Sequence, residues 1–211
     1  CKRNNLNCML VKLFFKECFI VKKSVWAIVM VMVCALMLAG CGGSGGSITS
    51  KGYGDLFHDQ AAINKAVAEI KTKGGGAPLM VFQNMHFGPD FINFSRQDPK
   101  NKENVDNFVW TPNTGWQGPK IVKLRGNGKL ADNLFNIDDV NWSALPVFIA
   151  ETEKMAKEKG IDKASLGGSI MIDLNVRKQQ LTFSATVKGE RKDAYVTGDV
   201  QTGQVTNFRI K

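Results

Sequence analysis

The sequence predicts an α+β fold made of two tandem repeats, each a helix packed on a four-stranded antiparallel meander. Three observations support this: two amphipathic helical patterns, a run of alternating strands after each, and matching short segments in the two halves. We expect the first repeat at residues 55–128 and the second at residues 129–211. About 150 residues suffice for one shared core or two small ones.

The first 40 residues differ in composition from everything that follows them. Two lysines at 22–23 precede an apolar run at 25–39, which is short for a bilayer span and typical of a signal peptide. The run ends in a four-residue box, Leu38, Ala39, Gly40 and Cys41. This box resembles the bacterial lipobox, whose cysteine is lipidated before cleavage. We therefore expect a cleaved signal peptide at 1–40 and a lipid on Cys41; the alternative is an uncleaved membrane anchor.

Residues 1–20 precede a signal that is already complete from Val21. They add a second basic and apolar stretch, and position 1 is Cys rather than Met. We interpret residues 1–20 as an artefact of start-site assignment. A GTG codon is read as Val within a frame and as Met at initiation, so Val21 is the expected first residue.

Residues 41–54 are expected to be a Gly/Ser tether between the lipidated cysteine and the first repeat. Loss of residues 1–40 takes six basic residues and one acidic residue from totals of 28 and 19, leaving 22 and 18. The remaining net charge of +4 gives no reason to expect nucleic-acid binding. All five cysteines lie within residues 1–41, so we expect neither a disulfide nor a cysteine-based metal site beyond them.

Each predicted helix has a cap, an apolar stripe and a glycine at its end. Asp59 is the expected N-cap of the first helix, and glycines at 74–76 stop it. Its stripe is Ile63, Ala66, Val67 and Ile70. Ser143 is the expected N-cap of the second helix, and Gly160 ends it. Its stripe is Phe148, Ile149, Thr152, Met155 and Ala156.

Four strands are expected after each helix. In the second repeat, apolar and polar residues alternate at 170–177 and 181–188, and strands at 193–200 and 204–210 are joined by a turn at 201–203. Alternation places apolar side chains on one face of the sheet and polar ones on the other. The polar face carries Asp173, Asn175, Arg177, Thr182, Ser184 and Thr186.

The internal repeat depends on short matching segments. Residues 105–110 match 192–197, a Thr-Gly turn follows each at 114–115 and 202–203, and residues 55–57 match 133–135. With the helix start at 143–150 and the last hairpin at 194–205, the arrangement resembles the PepSY-like and β-lactamase-inhibitor-protein-like group. The resemblance covers residues 132–211 and reaches 55–125 only through the repeat. It implies a binding or inhibitory module of the bacterial envelope and supplies no catalytic residues.

No catalytic, metal or cofactor site is predicted. His58 and His86 fall in different predicted elements, and no Gly-x-Ser-x-Gly, His-Glu-x-x-His or Walker motif is present. The carboxylates at 90, 138 and 139 lack the spacing of a calcium loop. The glycines at 74–76 and 126–128 fit a helix end and an inter-repeat turn better than a phosphate loop.

The polar face of the second repeat and two tryptophans are the predicted binding surface. Trp110 and Trp116 flank the turn at 112–115, and aromatic residues are enriched at interaction hot spots. The alternative for the polar face is simple solvation. We expect a lipid-anchored lipoprotein of the bacterial envelope that binds or inhibits a protein or peptide without catalysis. If the host is Gram-negative, Gly42 rather than Asp after the cysteine favours the outer membrane. Two alternatives stay open: an outer-membrane assembly or structural factor, and a hydrolase with an unrecognised site.

Overall fold

The computed structural model of the chain describes residues 52–211. The predicted signal peptide, the lipobox residues Leu38, Ala39 and Gly40, and the predicted lipidation site Cys41 lie outside the described residues. Neither helix within residues 52–211 combines the length and hydropathy that a membrane-spanning helix needs.

The described part of the chain contains two α-helices and ten strands. Helix α1 spans Gln60–Lys73 and helix α2 spans Ala144–Glu158. The strands are β1 Met80–Phe87, β2 Ile92–Gln97, β3 Val105–Thr111, β4 Gly115–Ile121, β5 Leu134–Asn136, β6 Ser165–Leu166, β7 Ile170–Asn175, β8 Gln180–Lys188, β9 Ala194–Asp199 and β10 Val205–Ile210. Two short 3-10 helices, Leu130–Asn133 and Ile137–Asp139, flank β5.

All ten strands belong to one antiparallel sheet, and this corrects the predicted architecture. The main order is β10-β9-β8-β7-β1-β2-β3-β4, with β5 beside β1 and β6 beside β8. Residues 84–87 of β1 pair with residues 170–173 of β7. The prediction of two tandem repeats, each a helix on its own meander, is therefore wrong. Alternation reports which side chains face the core, but it does not report which strand edges pair, so the β1–β7 junction leaves no signal in the sequence.

The segment before α2 also departs from the predicted repeat. Residues 133–135 were matched with residues 55–57, but Phe135 in β5 pairs with Val81 of β1. Leu56 and Phe57 instead lie in a turn that precedes α1. Segments with similar sequence therefore have different structural roles, because short apolar runs acquire their secondary structure from the strand beside them.

Both helices pack on one face of the sheet and share a single core. The predicted stripe of α1 is buried, and so are Phe148, Ile149, Thr152 and Ala156 of α2, while Met155 is partly exposed. The phenyl rings of Phe148 and Phe183 stack with centroids 5.4 Å apart. The phenyl rings of Phe94 and Phe108 also stack, with centroids 5.3 Å apart.

The helix starts confirm one predicted cap and correct the other. The Asp59 carboxylate accepts a hydrogen bond from the Ala61 N–H at 2.8 Å. Ser143 has helical dihedral angles and makes no capping hydrogen bond. Asn141 accepts instead, from the Ser143 N–H at 3.2 Å and the Ser143 hydroxyl at 2.6 Å. An N-cap residue needs an extended conformation, which Ser143 does not have.

Candidate functional site

The face of the sheet opposite the helices carries a row of side chains that crosses eight strands. Each member of the row is the cross-strand partner of the next, so the row runs from one edge of the sheet to the other. From β10 to β4 it consists of Asn207, Thr197, Ser184, Met171, His86, Asn93, Val109 and Gln117. Only Ser184 among these is buried. We call this row, together with Asn84, Asp173, Thr182, Thr186, Tyr195 and Asp199, the open face.

The predicted polar residues of the second half of the chain all map to this face or its end. Asp173 pairs with Thr182, and Thr186 pairs with Tyr195. Ser184 lies in the row itself and is 3% exposed, with no hydrogen-bond partner for its buried hydroxyl among the described residues. Two others lie beyond the face: Asn175 is the exposed last residue of β7, and Arg177 follows in the turn before β8.

The two predicted tryptophans lie on the opposite, helix-covered face. Trp110 is 4% exposed, and its ring lies 4.4 Å from that of Tyr53. Trp116 pairs with Trp110 across the β3–β4 hairpin, and its indole N–H donates to the Tyr53 hydroxyl at 2.8 Å. Both therefore stabilise the fold and are removed from the candidate surface. Aromatic residues around a turn do not indicate which face of the hairpin they occupy.

His86 and Asp173 lie at the centre of the open face, on either side of the β1–β7 junction. His86 Nδ1 is 3.2 Å from the Ser169 hydroxyl oxygen, and its ring centroid is 6.1 Å from that of Phe91. Burial raises the pKa of Asp173, and the nearby His86 opposes that rise. The predicted fold had His86 and Asp173 in separate sheets, so their proximity was not expected from the sequence.

The polar side chains of β2 and β3 hold one another in place. The Asn107 amide nitrogen donates to Asn93 Oδ1 at 2.7 Å, to the Phe94 carbonyl oxygen at 3.1 Å and to the Ser95 hydroxyl at 3.1 Å. A side chain fixed in this way loses little rotamer freedom when a partner binds. This part of the open face is therefore preorganised for contact.

The two histidines of the described chain have different polar neighbours. His86 contacts Ser169, but no carboxylate within residues 52–211 hydrogen-bonds to His86 to orient it as a base. His58 lies elsewhere, 2.9 Å from Asp55 and 3.5 Å from Glu153. In the same described range, no cluster of three or more His, Cys, Asp or Glu residues is placed to hold a metal ion.

A cleft of about 330 Å³ lies at one end of the sheet. It is bounded by β5, the end of β7, the start of β8 and the end of β9. Its apolar walls include Leu134, Leu174 and Leu181. Asp139 and Asp199 line it as well. Hydrogen bonds from backbone N–H groups, that of Thr202 above all, hold the pKa of Asp199 below its usual value. The cleft therefore combines apolar walls with negative charge and suits a basic, partly apolar group.

Comparison with known proteins shows a distant similarity in sequence to a named lipoprotein. The chain is 27% identical over 166 residues to "Probable lipoprotein EnvF" of Salmonella typhimurium strain LT2. The match covers 74% of this chain and 62% of EnvF, so the chain spans less than two thirds of that relative's length. A solved structure from Clostridium difficile 630, described as a candidate lipoprotein, matches with a TM-score of 0.49 and 13% identity, over 71% of this chain and 92% of that one. No protein-family model matches the chain.

Proposed function

We propose that this chain is a lipid-anchored lipoprotein of the bacterial cell envelope whose open face binds a protein or peptide partner without catalysing a reaction. Two independent observations support the anchor. The box at 38–41 ends in a cysteine after a signal-like apolar run, and the relative EnvF is named as a lipoprotein. Acyl chains on Cys41 contribute about 0.8 kcal/mol per buried CH₂ to membrane attachment, so several chains make a durable anchor. If the host is Gram-negative, Gly42 after the cysteine favours sorting to the outer membrane.

The continuous open face is the observation on which the binding function depends. Eight strands at about 4.8 Å spacing give a surface about 34 Å wide. With strands of about 20 Å, its area is on the order of 700 Å², close to the share of one partner in a standard interface. A single sheet therefore provides enough surface for a specific interface, and one separate meander would provide half of it.

The chemistry of the face fits a folded protein or an extended peptide. Its side chains are mainly hydroxyls and amides, which donate and accept hydrogen bonds to backbone and side-chain groups alike. The acidic cleft beside β9 adds a place for a basic side chain of the partner. If the partner is an enzyme and the interface covers its active site, binding inhibits the enzyme. This is the inhibitory form of the same function.

The anchor is tested in cells by Cys41→Ala. We expect the parent chain to incorporate labelled fatty acid and to fractionate with membranes, and the variant to do neither. Fatty-acid labelling of the Cys41→Ala chain, or membrane fractionation that does not depend on Cys41, would contradict the anchor.

The binding surface is tested by placing large charges on it. We expect Asn93→Arg with Thr182→Arg to abolish capture of the partner from intact envelopes, because both side chains lie on the open face. The matched control is Ala68→Arg with Ala150→Arg, at exposed positions of α1 and α2, which should leave capture unchanged. Unchanged capture by the open-face variant, with the control also unchanged, would remove the open face as the binding surface.

One contact favours a second candidate, a hydrolase. His86 and Ser169 lie within hydrogen-bond distance, which is the first requirement for an activated serine. If the protein hydrolyses a substrate through this pair, His86→Ala and Ser169→Ala should each abolish turnover while partner capture persists. If the parent chain shows no measurable turnover and these two variants lose partner capture, the result supports the binding module instead.

A further inference from the structure

The edge of the sheet at β4 continues into a segment with an unusual charge. Residues 112–131 contain four basic residues and no acidic residue. The basic residues are Lys120, Lys123, Arg125 and Lys129, and all four side chains are exposed. Residues 41–211 as a whole carry a surplus of four basic over acidic residues. This one segment therefore holds a positive charge equal to that of the whole chain after the signal peptide.

Two large apolar side chains are exposed within the same segment. Ile121 is 83% exposed and Leu124 is 40% exposed. Single exposed apolar residues are common on protein surfaces. Here, however, they alternate with the cations in the order Lys120, Ile121, Val122, Lys123, Leu124 and Arg125. Such a mixture of cations and apolar side chains is typical of protein segments that bind at a lipid–water interface.

The β4 edge is poorly suited to accept another strand. Pro119 has no N–H to donate, and Gly118 has a positive φ of 119°. The pairing of β4 with β3 also shifts register between Asn107 and Val109. Proline and irregular pairing protect sheet edges from added strands. The occupant of this edge is therefore not an extended peptide.

The tether from the anchor joins the folded domain beside the same hairpin. Tyr53, at the start of the described chain, contacts Trp110 of β3 and accepts a hydrogen bond from Trp116 of β4. The chain from Cys41 to Gly52 reaches at most about 38 Å. The strand from Trp116 to Ile121 covers about 17 Å. A membrane that holds Cys41 therefore lies within reach of the basic segment.

We propose that residues 119–129 bind the anionic phospholipid surface of the membrane that holds the anchor. The four cations meet headgroup phosphates, and Ile121 and Leu124 enter the interfacial layer. This inference rests on the lipid anchor of the proposed function and adds a second, non-covalent membrane contact. Two contacts fix the orientation of the domain: the β4 edge faces the membrane, and the open face stands at an angle to it, accessible to a partner.

The test uses the unlipidated chain from Thr49 to Lys211, which forms one compact unit. We expect it to sediment with vesicles of equal parts phosphatidylglycerol and phosphatidylcholine, and not with phosphatidylcholine alone. Binding should disappear near 1 M salt, where the Debye length is about 3 Å. Replacing Lys120, Lys123, Arg125 and Lys129 by Gln should lower binding more than about a hundredfold, since each basic residue contributes about fivefold at an anionic surface.

A matched variant separates this segment from net charge. Lys154 and Lys157 on α2, Lys163 before β6 and Lys192 before β9 are exposed lysines in the half of the fold away from β4, and replacing them by Gln removes the same charge. This control should keep binding within about threefold of the parent chain, because the replaced lysines lie away from the membrane contact. Ile121→Ser with Leu124→Ser should lower binding about tenfold and leave its salt dependence unchanged.

A second measurement applies if the unlipidated chain binds vesicles too weakly for sedimentation to detect. When Cys41 of residues 41–211 is coupled to a maleimide lipid, backbone amides at 121–125 should exchange more slowly on the mixed vesicles than on phosphatidylcholine. Equal exchange on the two vesicles, or equal losses of binding in the two fourfold variants, would overturn the inference. So would binding to DNA or an acidic protein without binding to vesicles. None of these outcomes affects the Cys41 and open-face tests, which leave this segment intact.

Discussion

At the scale of single residues, one hydrogen-bonded cluster ties the start of the described chain to α1 and β4. The Tyr53 hydroxyl donates to Glu69 Oε2 at 2.6 Å, and the Trp116 indole N–H lies 2.8 Å from Tyr53 Oη and 3.1 Å from Glu69 Oε2. Burial and the Glu69 carboxylate raise the pKa of Tyr53, and the Tyr53 hydrogen bond lowers that of Glu69. The phenol therefore stays neutral and the carboxylate charged, which fixes where the tether enters the fold.

Tyr53→Phe should lower the free energy of unfolding by about 2 kcal/mol, because it removes a partly buried hydrogen bond to a charged group. The matched control is Tyr195→Phe, whose hydroxyl has no hydrogen-bond partner within residues 52–211 and should cost below about 0.5 kcal/mol. Urea unfolding measures both. Equal losses in the two variants would contradict the role of the cluster.

His58 connects the turn before α1 to α2, and its contribution depends on pH. The hydrogen bond to Asp55 raises the pKa of His58, and the charges of Asp55 and Glu153 add to that rise. A raised folded-state pKa gives stability that is complete below the unfolded pKa of about 6.5 and lost as pH rises through the folded value. Because His58 is half-exposed, this contribution is below about 1 kcal/mol.

His58→Gln should therefore lower the melting temperature near pH 5, about 1.5 units below the unfolded pKa, and leave it nearly unchanged near pH 8.5, about 2 units above it. Thermal unfolding at the two pH values measures the difference. Glu153→Gln is the partner control and should show a smaller pH-dependent loss, since Asp55 still pairs with His58. A His58→Gln loss that is the same at both pH values would show that the ion pairs contribute nothing.

At the scale of elements, α2 approaches β9 closely because residue 198 is glycine. A Cβ at this position would lie 2.6 Å from Cε2 of Phe148 and 3.0 Å from the Gln204 carbonyl oxygen. Both neighbours are held in place, one by the core and one by the β9–β10 hairpin. The absence of a side chain at Gly198 therefore sets the distance between the helix and the sheet.

Gly198→Ala should destabilise the fold by about 1–3 kcal/mol through overpacking. Gly128→Ala is the matched control: its Cβ would meet its nearest neighbour, the Asn133 amide nitrogen, at 3.9 Å, and the change should stay below about 0.5 kcal/mol. Chemical denaturation of both variants provides the comparison. A Gly198→Ala chain as stable as the control would mean that α2 moves away from the sheet without cost.

Local sequence signals predicted most features of the two helices, but not the cap of α2. The α1 stripe, all of the α2 stripe except Met155, and the Asp59 cap were predicted correctly, because spacing and capping chemistry act within a few residues. The cap of α2 was assigned to Ser143 although Asn141 performs it. Both residue types are good caps, and their two-residue separation does not reveal which one is already helical.

At the scale of the whole molecule, the pairing of β1 with β7 joins two runs of strands into one sheet. The polar side of the second run was predictable from alternation, and Asp173, Thr182, Ser184 and Thr186 do lie on it. The extension of this surface through His86 and Asn93 was not predictable, because long-range strand pairing has no local signal. The tryptophans were misplaced for a different reason, because aromatic residues around a turn do not indicate which face of the hairpin they occupy.

A single sheet predicts a single unfolding unit. Residues 49–211 should unfold in one transition, with circular dichroism and tryptophan fluorescence changing together. Residues 49–128 alone should not fold cooperatively, because β1 would lose both β5 and β7 and expose the buried side chains of Val81, Met85 and Phe87. Cooperative unfolding of residues 49–128 alone would show that the first half is an independent repeat.

Photocrosslinking in intact cells tests the binding function most directly. A photoreactive residue is placed in the lipid-anchored chain at Asn93 or Thr197 on the open face, and at Ala68 or Ala150 on the outer sides of the helices. We expect both open-face positions to crosslink to the same partner and the helix positions not to crosslink to it. Crosslinks to the same partner from all four positions, or from the helix positions alone, would contradict it.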